Sequence, residues 1–133
     1  MSTDDSDRAD LIQYRLAEAK DTQSDVELLI SYDRFRAAIN RIYCSMFYSL
    51  LALAAKYEFD TSKHAQLIGR FNKTFIQPKL IEAKYGKIIN KAFSRRTKGD
   101  YDSYVEFDSE MIKEMYEEMK DFNCEIEKFI RRK

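Results

Sequence analysis

Apolar residues recur at three- and four-residue spacing along nearly the whole chain, and that period predicts amphipathic helices. The first spans about residues 7–30, with Ile12, Leu16, Ala19, Val26 and Ile30 on one stripe that Gln23 interrupts. Residues 1–7 are expected to be a disordered tail, leaving a single domain over 8–133. The step Ser31-Tyr32-Asp33 offers an N-cap for a second helix over roughly 33–57. There Phe35, Ala38, Ile39, Ile42, Met46, Leu50, Leu53 and Tyr57 form a stripe, and Tyr43, Phe47, Leu51 and Ala54 widen it until most of the surface must be covered. This is the expected central element.

A third helix starts from a Thr61 or Ser62 cap and points Leu67, Ile68, Phe71 and Phe75 inward. Gln77-Pro78 is expected to end it near Ile76, because proline disfavours helical geometry in the preceding residue. A fourth helix over about 79–97 buries Ile81, Tyr85, Ile88, Ile89, Ala92 and Phe93, tolerates Gly86 at some cost and stops at Gly99. After a loop over 100–107, Asp108 caps a fifth helix, in which Ile112, Met115, Met119, Phe122, Ile126 and Phe129 step regularly to about Ile130. The 133 residues contain three glycines and one proline, too few turn formers for a sheet protein. The expected fold is all-α, an up-and-down helical bundle of four to five helices.

Charge changes this picture. The net charge is zero, yet residues 63–98 hold ten bases (Lys63, Arg70, Lys73, Lys79, Lys84, Lys87, Lys91, Arg95, Arg96 and Lys98) against the single acid Glu82. Residues 1–33 carry nine acids and three bases, and residues 100–128 eleven acids and three bases. One reading has helices of opposite sign neutralising each other across their seams. The other has a positive face for a polyanion, which better explains the crowding of Lys91, Arg95, Arg96 and Lys98 at one helix end.

Several chemistries lack their residues. One histidine cannot supply a di-iron bundle, two cysteines with that histidine cannot close a structural zinc site, and no phosphate-binding glycine loop occurs. No metal or cofactor is expected. No uncharged apolar run reaches about 18 residues, so no membrane span is expected, and no secretory signal is visible. Cys44 and Cys124 lie in apolar stretches and read as buried free thiols, which points to a reducing cytoplasm.

The second helix reads Ala37-Ala38-Ile39-Asn40-Arg41-Ile42-Tyr43-Cys44-Ser45-Met46-Phe47-Tyr48, His64 opens the third, and Arg96-Thr97-Lys98-Gly99-Asp100-Tyr101 ends the fourth. Together these resemble the HEPN superfamily, and most closely its small stand-alone prokaryotic members with an Ala-x-Asn-Arg-x-Tyr and an Arg-x-x-x-Asp-Tyr stretch. The resemblance covers about residues 8–131. It implies a helical bundle, commonly a homodimer, often a toxin or metal-independent ribonuclease encoded beside a minimal nucleotidyltransferase antitoxin. Catalytic members use an arginine followed four to six residues later by histidine. Here the arginine is Arg96, and Tyr101 stands where the histidine would be.

Arg96, with Arg95 and Lys98 beside it, suits the phosphate role through its planar fork of donors. His64 has the right proton chemistry but lies far away in sequence, and a solvated or helix-start histidine is the simpler explanation. Tyr101 is a weak base at its ordinary pKa near 10; it could instead donate a proton, stack on a base, or with Tyr104 accept a nucleotide from the partner. Asp100 either orients Arg96 or serves as turn chemistry. Asn40, Arg41 and Tyr43 either line a cleft opposite Arg96 or tie helices together. Three functions follow: a module binding RNA or nucleotide in a basic dimer cleft as one half of a toxin–antitoxin pair, an active endoribonuclease using Arg96, or a structural dimer.

Overall fold

The computed structural model describes residues 3–59, 61, 63–101 and 107–132, with side chains for 4–59, 61, 63–98 and 107–132. Among the described residues there are five helices and no strand: α1 (Thr3–Ser31), α2 (Phe35–Lys56), α3 (His64–Phe71) with a π-helical continuation (Asn72–Ile76), α4 (Ala83–Tyr101) and α5 (Ser109–Arg131). α2 is the hub, packing on α1, α5 and α4. Its Ile39, Ile42, Met46, Leu50 and Leu53 meet Ile88 and Ile89 of α4 and Met115, Met119, Phe122 and Ile126 of α5 in one core. α2 is long and apolar enough to cross a bilayer, but 67% of its most apolar window is covered by the other helices.

Several helix ends differ from the sequence expectation. α1 starts at Thr3, four residues before the expected start; Asp4 and Asp5 suit the positive N-terminal end, and Arg8 pairs with Asp5 at 3.4 Å. Asp33 does not cap α2. It sits at φ 55 and closes α1, with Asp33 N–H donating to Ile30 and Arg34 N–H to Leu29, a Schellman arrangement. Arg34 then takes the N-cap of α2 and makes no side-chain cap.

The same device ends two more helices. Glu58 (φ 60) closes α2 through Phe59 N–H to Ala54, and Lys79 (φ 65) closes the third helical stretch through Leu80 N–H to Phe75. Gln77 is helical after all, at φ −58 and ψ −44. Widening to a π turn, with Gln77 N–H reaching Asn72, leaves room for the Pro78 ring that a tighter turn would clash with.

The N-cap of α3 is Lys63, not Thr61. Thr61 instead donates to Gln66 and accepts from the Lys63 N–H, while Ser62 lies outside the described residues. α4 begins at Ala83, because the Lys79 turn delays it, and passes through Gly99 to Tyr101. The expected cap of α5 is present: the Asp108 carboxylate accepts from Met111 N–H at 2.8 Å.

Candidate functional site

α2 carries Asn40, Tyr43, Cys44 and Phe47 at three- and four-residue spacing, so one stripe presents all four. The first turn of α3 and the last turns of α4 close over it. Tyr43 is fully buried, and its phenol lies 2.7 Å from His64 Nδ1. The His64 ring stacks on Phe47 with centroids 4.0 Å apart, and Phe93 of α4 packs on Tyr43 at 5.5 Å. The Arg96 guanidinium sits over the Tyr43 ring, 5.4 Å from its centroid. Arg96 and His64, 32 positions apart in sequence, thus share one tyrosine within a single protomer.

The electrostatics follow from that packing. Burial pushes the Tyr43 phenol above its ordinary value, and the positive charge of Arg96 opposes this only in part, so Tyr43 stays protonated. Burial and then Arg96 hold the His64 imidazole below its ordinary 6.5, which favours the neutral ring at neutral pH. With Nδ1 engaged by Tyr43, Nε2 is the nitrogen left to exchange a proton, and it makes no hydrogen bond to the described residues.

Arg96 and Arg95 are both half-buried, and Arg95 Nη1 is buried without a hydrogen-bond partner among the described residues. An arginine donor withdrawn from water in this way is costly unless an acceptor meets it. Lys98 is exposed and forms no ion pair with the described residues. Part of the basic run is neutralised as a helix seam: Lys91 meets Glu118 at 2.8 Å and Glu114 at 3.6 Å, and Lys84 meets Asp121 at 3.3 Å. That pairing absorbs the middle of α4.

The other expected residues divide. Among the described residues the hydrogen bonds of Asn40 and Arg41 stay within α2: Arg41 Nη2 donates to Asn40 Oδ1 at 2.9 Å and to Cys44 Sγ at 3.1 Å, all three residues being half-buried. Tyr43 is fully buried and contacts His64 and Arg96. The side chains of Asp100 and Tyr101, and all of Tyr104, lie outside the described residues. Cys44 is only half-buried and Cys124 is exposed, against the expectation of two buried thiols, because position 124 falls off the Met119–Phe122–Ile126 stripe.

The sequence pattern presents Phe47 and Phe93 only as core positions, although Tyr43 and Phe47 at i and i+4 mark an aromatic patch. A second polar feature gave no sequence signal. Inside the bundle Ser49 donates to Asn123 Oδ1 at 2.8 Å, Asn123 to Ser45 Oγ at 2.9 Å, and Ser45 to the Ala19 carbonyl at 2.7 Å. No group of three or more His, Cys, Asp or Glu side chains suited to a metal occurs among the described residues.

A family model described as the HEPN domain matches residues 12–129. A UPF0332 protein of Thermotoga maritima is 32% identical over 125 residues, covering 94% of this chain and 95% of its own. Two Methanocaldococcus jannaschii proteins named "Putative toxin" are each 33% identical. One match covers 76% of this chain and 77% of the relative, the other 63% and 57%.

Proposed function

Because this chain belongs to the HEPN family and to the UPF0332 proteins, we propose that it is a toxin-type protein that binds RNA at Arg96 and cleaves it without a metal. The observation that carries this reading is the convergence of Arg96 and His64 on Tyr43. Tyr101 stands at the position of the family's motif histidine; an imidazole arriving from α3 supplies the missing proton chemistry.

Arg96 grips the non-bridging oxygens of a phosphodiester, with Arg95 and Lys98 adding charge. His64, in the tautomer whose Nδ1–H donates to the Tyr43 oxygen, takes the 2′-hydroxyl proton on Nε2. The 2′-oxygen bonds to phosphorus, the P–O5′ bond breaks, and the 5′-oxygen takes a proton from water. The products are a 2′,3′-cyclic phosphate and a 5′-hydroxyl, and the imidazolium returns its proton to solvent.

Two protomers would place two such sites in one basic cleft. A nucleotidyltransferase antitoxin would silence it by modifying the hydroxyl of Tyr101 or Tyr104. The test is purified protein with single-stranded RNA in chelator. Cleavage is expected, falling by about a thousandfold in Arg96→Ala, the scale of losing an anion-stabilising donor. Binding without cleavage in the wild type, weakening steeply with salt, would leave an RNA-binding module instead.

A further inference from the structure

α1 and α5 run antiparallel and are tied by the Lys20–Glu127 ion pair at 3.5 Å and, toward their ends, by two hydrogen bonds. Arg131 donates to Gln13 at 3.5 Å near one end, and Tyr116 donates to Glu27 near the other. Between these two bonds lies a cleft of about 350 Å³, on a different face from Arg96. Leu16 and Ala19 of α1 form one wall, and Asn123 and Ser49 form the floor. That volume is within the range of small-molecule sites.

Two independent features of the cleft point to an anion. The first is charge sorting. Both helices are acidic, yet Lys20, Lys120, Lys128 and Arg131 all border the cleft, against Glu127 alone. Glu127 is itself occupied, holding Arg131 at 3.0 Å and Lys20 at 3.5 Å, and Lys120 meets Glu117 at 3.3 Å, so Lys128 is the bordering cation with no ion-pair partner among the described residues. The second is the floor. Asn123 is 7% exposed, and of its two amide N–H donors one goes to Ser45 while the other meets no acceptor among the described residues. A buried donor beneath the unpaired Lys128 fits an oxygen anion.

The body of the ligand follows from the walls. Among the described residues no aromatic ring lines the cleft to stack a nucleobase; Leu16 and Ala19 are buried behind it, and the exposed Cys124 and the lysine stems offer the apolar surface. We propose that this cleft binds a small aliphatic carboxylate, its head between Lys128 and the Asn123 amide and its chain along Cys124 and the stems of Lys20 and Lys120.

The experiment titrates the full chain with decanoate by calorimetry and follows alkylation of the exposed Cys124 by peptide mass mapping. One saturable site per chain is expected, with Cys124 alkylation slowed in proportion to occupancy. Lys128→Ala, a surface change that leaves the fold intact, is expected to weaken binding about tenfold, the scale of one charge-assisted hydrogen bond. Asn123→Leu is expected to weaken it similarly, and Arg96→Ala to leave it unchanged. Decanol, with the same chain and no charge, is expected to bind at least about tenfold more weakly. Absence of saturable binding at millimolar decanoate overturns the proposal. So does equal binding of decanol, tighter binding of adenosine monophosphate, or indifference to Lys128→Ala.

Discussion

The Tyr43 hydroxyl lies 2.7 Å from His64 Nδ1, which fastens the middle of the central helix to the first residue of α3. A histidine that opens a helix after a loop would otherwise be free to turn its ring into solvent. Here the phenol fixes one nitrogen and Phe47 fixes the ring plane, so the remaining nitrogen has a defined direction. Arg96 completes the arrangement from α4, over the ring of the same tyrosine.

Replacing Tyr43 with phenylalanine separates orientation from packing. The ring, its contacts with Phe93 and its face toward Arg96 remain, and only the hydroxyl is removed. Stability is expected to fall by no more than about 1 kcal/mol, the net value of a typical hydrogen bond. RNA cleavage is expected to fall in kcat by about tenfold to a hundredfold, because a misdirected imidazole loses near-attack geometry. KM is expected to hold, since Arg96 still grips the phosphate. A fall in KM-dependent binding with kcat intact would remove His64 from the chemistry.

His64 also predicts a pH dependence with a definite sign. Its folded-state pKa is depressed below the ordinary 6.5 by burial and by Arg96, so the folded protein binds fewer protons than the unfolded chain just below that value. The contribution to stability is therefore present above about pH 6.5 and lost as the pH falls through the lower folded value. Denaturant midpoints at pH 7.5 and pH 5 should fall further for the wild type than for His64→Gln; the comparison cancels the carboxylates common to both. Cleavage should rise with pH to a plateau whose inflection lies below 6.5, because the base must be neutral.

Much of the scaffold was legible in the sequence, and the reasons lie in particular stripes. Leu67, Ile68, Phe71 and Phe75 are all buried as their spacing required, as are Met115, Met119, Phe122 and Ile126. Helix ends were less legible. Asp33, Glu58 and Lys79 adopt the left-handed conformation in a chain with few glycines, so the usual stop signal was missing where the helices stop. Gly99, the expected stop, lies inside α4. At the site, the arginine end of α4 was visible as a run of charge. The meeting of Arg96 with His64 was not, because it depends on how three helices cross over Tyr43 and on no local pattern.

The left-handed residues give a stability prediction. Lys79 pays the steric cost of its φ of 65 with a side chain that is exposed and forms no ion pair with the described residues. Lys79→Gly removes that cost and keeps both closing hydrogen bonds. It is expected to raise stability by about 1 kcal/mol, read as a higher urea midpoint with unchanged slope.

The buried Ser45–Asn123–Ser49 network gives the opposite sign. Asn123→Ala removes the acceptor of Ser49 and the donor to Ser45 together. A loss of about 2 kcal/mol is expected, since a buried hydroxyl stripped of its partner bears its full desolvation cost. Adding Ser49→Ala should then cost little, because the group it would orphan is already gone. Urea unfolding of the two single variants and the double variant reads this coupling directly.

Gly86 explains itself by what a methyl group there would meet. A helix-interior glycine is usually a liability of about 1 kcal/mol relative to alanine, so Gly86→Ala would ordinarily stabilise. A Cβ at this position would lie 2.7 Å from Asn72 Oδ1 and 3.3 Å from Ile76 Cγ1, both on the π turn. Asn72 would have to swing away and give up its 3.2 Å bond to Asn90, while Ile76 would have to yield by a few tenths of an ångström. The overpacking outweighs the helix gain, and a net loss of about 1 kcal/mol is expected. In an Asn72→Ala background the shortest clash disappears, so the same substitution should be near neutral. Equal effects in both backgrounds would show that Asn72 does not hold this seam closed.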